Sequence, residues 1–190
     1  MEKSDVIAFF DRCAPSWEHE LVRNEEVITK ILDNAGVCAG IDVLDVACGT
    51  GVLFEDYFLR GVASLTAIDI SPEMVKRARE KHPTVLCGDV ETTEFDKKFD
   101  VIMVYNAFPH FPEPVRLIER LSGLLKQGGR LSVAHGMSRE KLIAHHEGRA
   151  QKVSIELLEA QQLAELFEKY LCVEVSISDE TMYQLVGRKN

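Results

Sequence analysis

At 190 residues, with 46% hydrophobic and 28% charged content, the chain is large enough to bury a core without disulfide or metal staples. A formal charge of −9 argues against a nucleic-acid partner, because phosphate contacts need a basic surface, and no apolar run approaches the roughly 20 residues that insert across a membrane. Met1-Glu2-Lys3-Ser4-Asp5 lacks a signal-peptide pattern, and the five cysteines (Cys13, Cys38, Cys48, Cys87, Cys172) fall without C-x-x-C spacing, so they read as free thiols in a reducing, cytoplasmic setting.

Ser4 is placed to cap a first helix carrying Val6, Ile7, Phe9 and Phe10, which ends before Pro15. After Ser16, the residues Trp17, Leu21, Val22, Val27, Ile28, Ile31 and Leu32 recur at roughly helical spacing. That pattern predicts one longer helix closed by Asn34-Ala35-Gly36. Residues 42–47 are apolar and β-branched enough for a buried central strand. Gly49 and Gly51 then free the backbone to turn sharply and let a ligand approach. A helix restarts over residues 52–60, with Gly61 suited to its C-terminal cap. Strand, glycine turn and helix together form the opening unit of a nucleotide-binding α/β fold.

The nucleotide is narrowed by two residues. The dinucleotide fingerprint G-x-G-x-x-G/A wants a small last residue, and here that place holds Phe54. Asp45, at the end of the strand, sits poorly with a pyrophosphate but welcomes a ligand bearing positive charge and an amine. S-adenosylmethionine carries both, in its sulfonium and its ammonium. The run Val43-Leu44-Asp45-Val46-Ala47-Cys48-Gly49-Thr50-Gly51 resembles motif I of the class I S-adenosylmethionine-dependent methyltransferases. The resemblance implies that Asp45, Ala47, Cys48, Gly49 and Gly51 bind the cofactor. Cys48 alone reads as a small buried residue of the turn. The segment 9–17 is similar to the N-terminal part of methyltransferases of the ubiquinone/menaquinone-biosynthesis type, where it lies over the cofactor. The plain alternative is a pair of amphipathic helices covering a sheet edge.

Further along, residues 64–70 read as a second buried strand ending in Asp69, at the spacing expected of a carboxylate that accepts from two ribose hydroxyls. Ser71-Pro72 opens a helix, cap first and proline next. In the resemblance, Ile70 and Met74 flank the adenine. His82-Pro83 breaks that helix, and residues 84–87 form a short third strand. Gly88-Asp89-Val90 follows; by resemblance Asp89 accepts from the adenine amino group and the backbone at Val90 meets a ring nitrogen. Residues 99–106 form the fourth strand, whose end, at Asn106, faces the transferred methyl group in the family. Tyr105-Asn106-Ala107-Phe108-Pro109-His110-Phe111 departs from the [D/N/S]-P-P-[Y/F] signature of methyltransferases acting on nucleic-acid bases. Pro114 opens a helix with Val115, Leu117, Ile118, Leu121, Leu124 and Leu125 as its core stripe. Lys126-Gln127-Gly128-Gly129 is similar to the family's turn into strand five, with Gln127 in place of proline. Ser138 is placed to cap a short helix bearing His145 and His146, and Ser154 another bearing Leu157, Leu158, Leu163, Leu166 and Phe167. Residues 171–177 and 182–187 are the last two strands.

The expected architecture is a Rossmann-like α/β fold of seven strands in the order 3-2-1-4-5-7-6, the last strand antiparallel, with helices on both faces. The whole chain, 1–190, is read as one methyltransferase domain, with residues 1–36 a helical lid and 37–190 the core. Methyl transfer from a sulfonium is an in-line displacement in which the protein supplies positioning and, for a protonated nucleophile, a base. Substrate contacts are expected from Trp17, Tyr105, Phe108, His110 and His135, with His110 or His135 as base. A metal site drawn from His110, His135, His145 and His146 is the alternative use of these imidazoles, although their spacing matches no standard motif. The function expected is S-adenosylmethionine-dependent methylation of a small molecule, yielding S-adenosylhomocysteine. The alternatives are a quinone or isoprenoid C-methyltransferase and an S-adenosylmethionine-binding regulatory or metal-linked protein without transfer activity. A homodimer is left open as the assembly.

Overall fold

The computed structural model describes residues 1–20, 22–146 and 150–190, with the side chains of His145 and His146 outside the description. Seven strands make one sheet: β1 (Asp42–Val46), β2 (Ser64–Asp69), β3 (Leu86–Cys87), β4 (Phe99–Tyr105), β5 (Leu125–His135), β6 (Cys172–Ser178) and β7 (Tyr183–Arg188). Their order is 3-2-1-4-5-7-6, and β7 runs antiparallel to both of its neighbours while the other pairings are parallel. This is the expected topology. The chain turns back on itself between β1 and β4, and that switch point opens a crevice beyond the C-terminal strand ends.

Helices α1 (Lys3–Cys13), α2 (Trp17–Glu20), α3 (Glu25–Ala35), α4 (Phe54–Leu59), α5 (Pro72–Lys81), α6 (Pro114–Leu124), α7 (Arg139–His146) and α8 (Ala160–Phe167) surround the sheet. One face is covered by α3, α4 and α5, whose Ile28, Ile31, Leu32, Tyr57, Val75 and Ala78 are almost wholly buried against Val43, Ala67 and Met103. The other is covered by α6 and α8, where Leu117, Leu121, Leu163 and Phe167 pack on Leu44, Ile102 and Val133. Each such side chain stabilises the fold by about 1.5–3 kcal/mol through the apolar area it removes from water.

Several elements differ from expectation. Ser4 lies inside α1, whose N-cap is Glu2. The single long helix over 17–34 is two, because Asn24 takes the Val27 N–H (3.2 Å) and starts α3 afresh. Val22 is 91% exposed between them, and Leu21 is outside the described residues. Ser154 caps no helix; α8 begins at Ala160, held by a reciprocal capping box between Glu159 and Gln162. Val115 points to solvent rather than into the core. The third strand is only two residues long, and its Leu86 and Cys87 are exposed at the sheet edge. In contrast, Ser71 caps α5 through the Met74 N–H (3.2 Å), and Ser138 Oγ accepts from Lys141 N (3.3 Å) at the head of α7. None of the five cysteines is joined in a disulfide.

Candidate functional site

The crevice holds a cleft of about 1040 Å³. Its floor is the turn after β1. Ala47 (φ 53°), Gly49 (φ 55°) and Gly51 (φ 82°) all take left-handed backbone there, and beside them, after β4, so does Asn106 (φ 54°). Ala47 and Asn106 are therefore strained positions at the ends of two adjacent strands, as ligand-gripping backbone often is. Gly51 does not line the cleft. A Cβ there would come within 2.5 Å of the Phe54 ring, so this glycine lets the loop fold back onto α4.

Two acids sit at the cleft floor. Asp45 is 2% exposed and Asp69 8%. Burial, with the charge of Asp69 added, drives the Asp45 carboxyl well above the usual carboxylate range. Burial also raises Asp69, to about 6, opposed by the N–H groups of Ser71 and Gly49 and assisted by the charge of Asp11. Asp69 Oδ1 accepts from Ser71 N (2.9 Å) and Oδ2 from Gly49 N (2.8 Å), which ties the β2 end to the glycine turn. Each oxygen keeps a further lone pair for a ligand hydroxyl. Ile70, Met74 and Val90 form an apolar slot next to them, closed by Asp89. Asp89 Oδ1 accepts from Glu91 N (3.0 Å), and Oδ2 accepts from Lys3 Nζ (2.5 Å). Cys48 also lines the cleft; burial first, then the charges of Asp45 and Asp69, push its thiol far up, so it remains a neutral thiol. An adenosyl sulfonium fits this set: hydroxyl acceptors, an apolar slot for a flat base, and buried carboxylates whose ionised form a cation would stabilise.

The roof comes from the N-terminal helices. Lys3, Val6, Phe10 and Trp17 line the cleft from above. Asp11 Oδ1 accepts from Ser71 Oγ (2.5 Å) and Glu73 N (3.2 Å), and Lys3 also donates to Glu91. Phe10 and Asp11 belong to the segment 9–17 expected over the cofactor; Lys3 and Val6 lie outside it, although their i, i+3, i+7 spacing with Phe10 puts all three on one helix face.

Tyr105, Trp17, Phe10, Phe111 and His110 give the same cleft an aromatic lining, with Trp17 Nε1 3.9 Å from where a Cβ on Gly49 would lie. Phe10 meets the Trp17 ring edge-on at 5.7 Å and the His110 ring at 4.8 Å. Asn106 lines the cleft while its Oδ1 accepts from Gly136 N (2.9 Å). Two expected substrate residues are elsewhere. Phe108 is fully buried in the core under α6. His135 is also fully buried; it shares the strand face of Leu131 and Val133, pairs in register with Tyr183, and its ring lies 6.1 Å from that tyrosine's. Strand alternation turns it into the core, away from the cleft that His110 lines. Among the described residues no three His, Cys, Asp or Glu side chains gather as a metal site, and the His145 and His146 side chains lie outside those residues.

Residues 44–133 match the family described as a methyltransferase domain. A ubiquinone biosynthesis O-methyltransferase of Xanthomonas euvesicatoria pv. vesicatoria is 36% identical over 118 residues, 58% of this chain and 47% of that protein. A demethylmenaquinone methyltransferase of Renibacterium salmoninarum is 30% identical over 141 residues, 68% of this chain and 58% of the relative. The chain thus spans about half the length of the curated relatives it matches. A chain of the complex between the Haloferax volcanii Trm112 methyltransferase activator and a methyltransferase superposes with a TM-score of 0.80 at 23% identity, over 97% of both chains. Magnesium protoporphyrin IX methyltransferase from Synechocystis PCC 6803, with bound S-adenosylhomocysteine, superposes at 0.74 and 17% identity over the whole of both. At such identities the likeness is one of fold. Motif run, strand order and sequence match agree: residues 44–133 are a methyltransferase domain of the class I S-adenosylmethionine-dependent type.

Proposed function

We propose that the protein transfers a methyl group from S-adenosylmethionine to a small-molecule acceptor, in a cytoplasmic setting, with α1 and α2 of residues 1–36 serving as a lid while α3 packs into the core with residues 37–190. The observation that carries this reading is the pair of buried carboxylates, Asp45 and Asp69, in a cleft that also has an aromatic lining and His110. The carboxylates suit the donor, and the aromatic lining suits an uncharged acceptor. Asp45 faces the cationic end of the donor, Asp69 the ribose hydroxyls, and Asp89 with Ile70, Met74 and Val90 the adenine. Trp17, Tyr105 and His110 border the acceptor. The absence of a helix long and apolar enough to cross a membrane among the described residues agrees with an acceptor met at a protein cleft.

Calorimetry with S-adenosylmethionine and S-adenosylhomocysteine, followed by a screen for S-adenosylhomocysteine release over phenols, quinols, amines and thiols, tests this function. Donor binding with release on at least one acceptor class is the expected result. Binding with no release on any class would instead favour a donor-binding protein without transfer activity.

A further inference from the structure

We propose that Asp11 is a positioning residue for the donor site, acting through Ser71 on the ribose carboxylate Asp69, so that seating of the first helix and binding of the donor are one linked event; this rests on the methyltransferase reading above. Ser71 is fully buried and stands between the two acids. Its N–H donates to Asp69 Oδ1 (2.9 Å), its hydroxyl donates to Asp11 Oδ1 (2.5 Å), and the same hydroxyl oxygen accepts from Met74 N (3.2 Å). A serine hydroxyl has one hydrogen to give, and here Asp11 receives it. The backbone N–H of Glu73 donates to that Asp11 oxygen as well (3.2 Å). One oxygen of α1 therefore fixes both ends of the turn 71–73.

That turn is flanked by the donor site on both sides. Asp69, Ile70 and Met74 line the cleft, whereas Ser71 and Glu73 do not. Phe10, the neighbour of Asp11 in α1, lines it from above. A shift of Asp11 thus moves a roof residue and loosens three floor residues together. Val6, Phe9 and Phe10 pack around Ala150 and Val153, so α1 keeps an apolar hold when the Asp11 bonds are cut. The link is also electrostatic. Facing Asp69 are Asp45 from β1, the neutral Cys48 thiol of the glycine turn and Asp11 from α1. Burial raises the Asp69 carboxyl most, and the charge of Asp11 adds to it. Coupling of this kind is reciprocal: whatever the docked helix does to donor affinity, the donor does to the docking of the helix.

Two measurements test the proposal. Carbon NMR of the side-chain carboxyls in the donor-free protein should show Asp69 titrating near pH 6 and, in Asp11→Asn, at lower pH, since that variant keeps the acceptor oxygen and loses the charge. An unmoved or higher midpoint overturns the link between the two acids. Affinity for S-adenosylhomocysteine is then measured by calorimetry at pH 8, where Asp69 is ionised. Asp11→Ala and Ser71→Ala should each bind at least about fivefold more weakly than the parent, and Asp11→Asn should recover most of the loss seen in Asp11→Ala. The double variant Asp11→Ala/Ser71→Ala should bind no more weakly than the poorer single one, because both changes cut the same link. Losses that multiply overturn the relay, and unchanged affinity in Asp11→Ala overturns the positioning role. Ser71→Ala also removes the cap of α5, so if that variant does not fold, the comparison of Asp11→Asn with Asp11→Ala decides alone. Failure of the unmodified protein to bind S-adenosylhomocysteine at all would sink the methyltransferase reading instead, while the carboxyl titration, read without any donor, stands apart from it.

Discussion

Asp69 does two things that pull against each other. Its oxygens fasten Gly49 and Ser71, and its ionised form is needed to accept from a ligand's hydroxyls, yet burial holds its pKa near 6. The folded value lies above the ordinary 3.8, so the donor-free protein binds the extra proton between these limits. Its stability should therefore rise as pH falls through about 6, by at most about 3 kcal/mol from this group. Donor affinity should move the opposite way, falling as pH drops below about 6 as the carboxylate is lost. Calorimetric titration from pH 8 to 5, with melting curves alongside, checks both signs; an affinity flat across that range would remove Asp69 from the donor site. Asp69→Ala should weaken donor binding at least tenfold, since two charge-assisted hydrogen bonds go with it. Gly51→Ala makes a separate demand on the same loop. Left-handed backbone and a Cβ at 2.5 Å from Phe54 should cost about 2–4 kcal/mol, read as a lowered melting temperature.

At the scale of elements the informative one is α1, which is fastened by two clasps of unequal weight. The Lys3 side chain is 38% exposed, so its pairs with Asp89 and Glu91 are screened and contribute about 0–1 kcal/mol each. Asp11 binds the Ser71 hydroxyl and the Glu73 N–H at the N-terminus of α5, where an anion is favoured by the helix dipole and the bonds are charge-assisted. Asp11→Ala should therefore speed amide hydrogen exchange across residues 3–13 by about tenfold, more than Lys3→Met does, and 0.5 M salt should loosen only the Lys3 clasp. Equal effects of the two substitutions would show that α1 is held by packing alone. The same scale explains what could be foreseen. The β1–turn–α4 unit was legible because its signal is local: an apolar run, two glycines, then helical content. The interruption before Asn24 was not, because Val22 continues the helical spacing and only the Asn24 cap breaks it. His135 ends β5, but the end of a strand does not fix a face; one residue along a strand reverses a side chain, and this ring lies in the core.

Across the whole molecule, the first helix of the core and the last strand of the sheet are joined by one buried amide. Gln184 on β7 is fully buried. Its Nε2 donates to the Ile31 carbonyl on α3 (2.9 Å) and to Ser132 Oγ on β5 (3.1 Å), and its Oε1 accepts from Asn34 Nδ2 (2.8 Å). A hydrophobic residue of similar size would fill the space but leave the Asn34 amide and the Ile31 carbonyl poorly satisfied, and each such group costs about 1–3 kcal/mol. Gln184→Leu should then lower stability by about 3 kcal/mol, which for a chain of this length is a fall of roughly 6–12 °C in Tm. The shape of the transition carries more than its midpoint. The variant should still melt in one calorimetric step, because the apolar contacts of α3 with the sheet remain. A second, earlier transition that includes β6 and β7 would mean that the antiparallel end of the sheet depends on Gln184 for its attachment. Donor affinity, set at the β1 and β2 ends of the sheet, should be unchanged in either case.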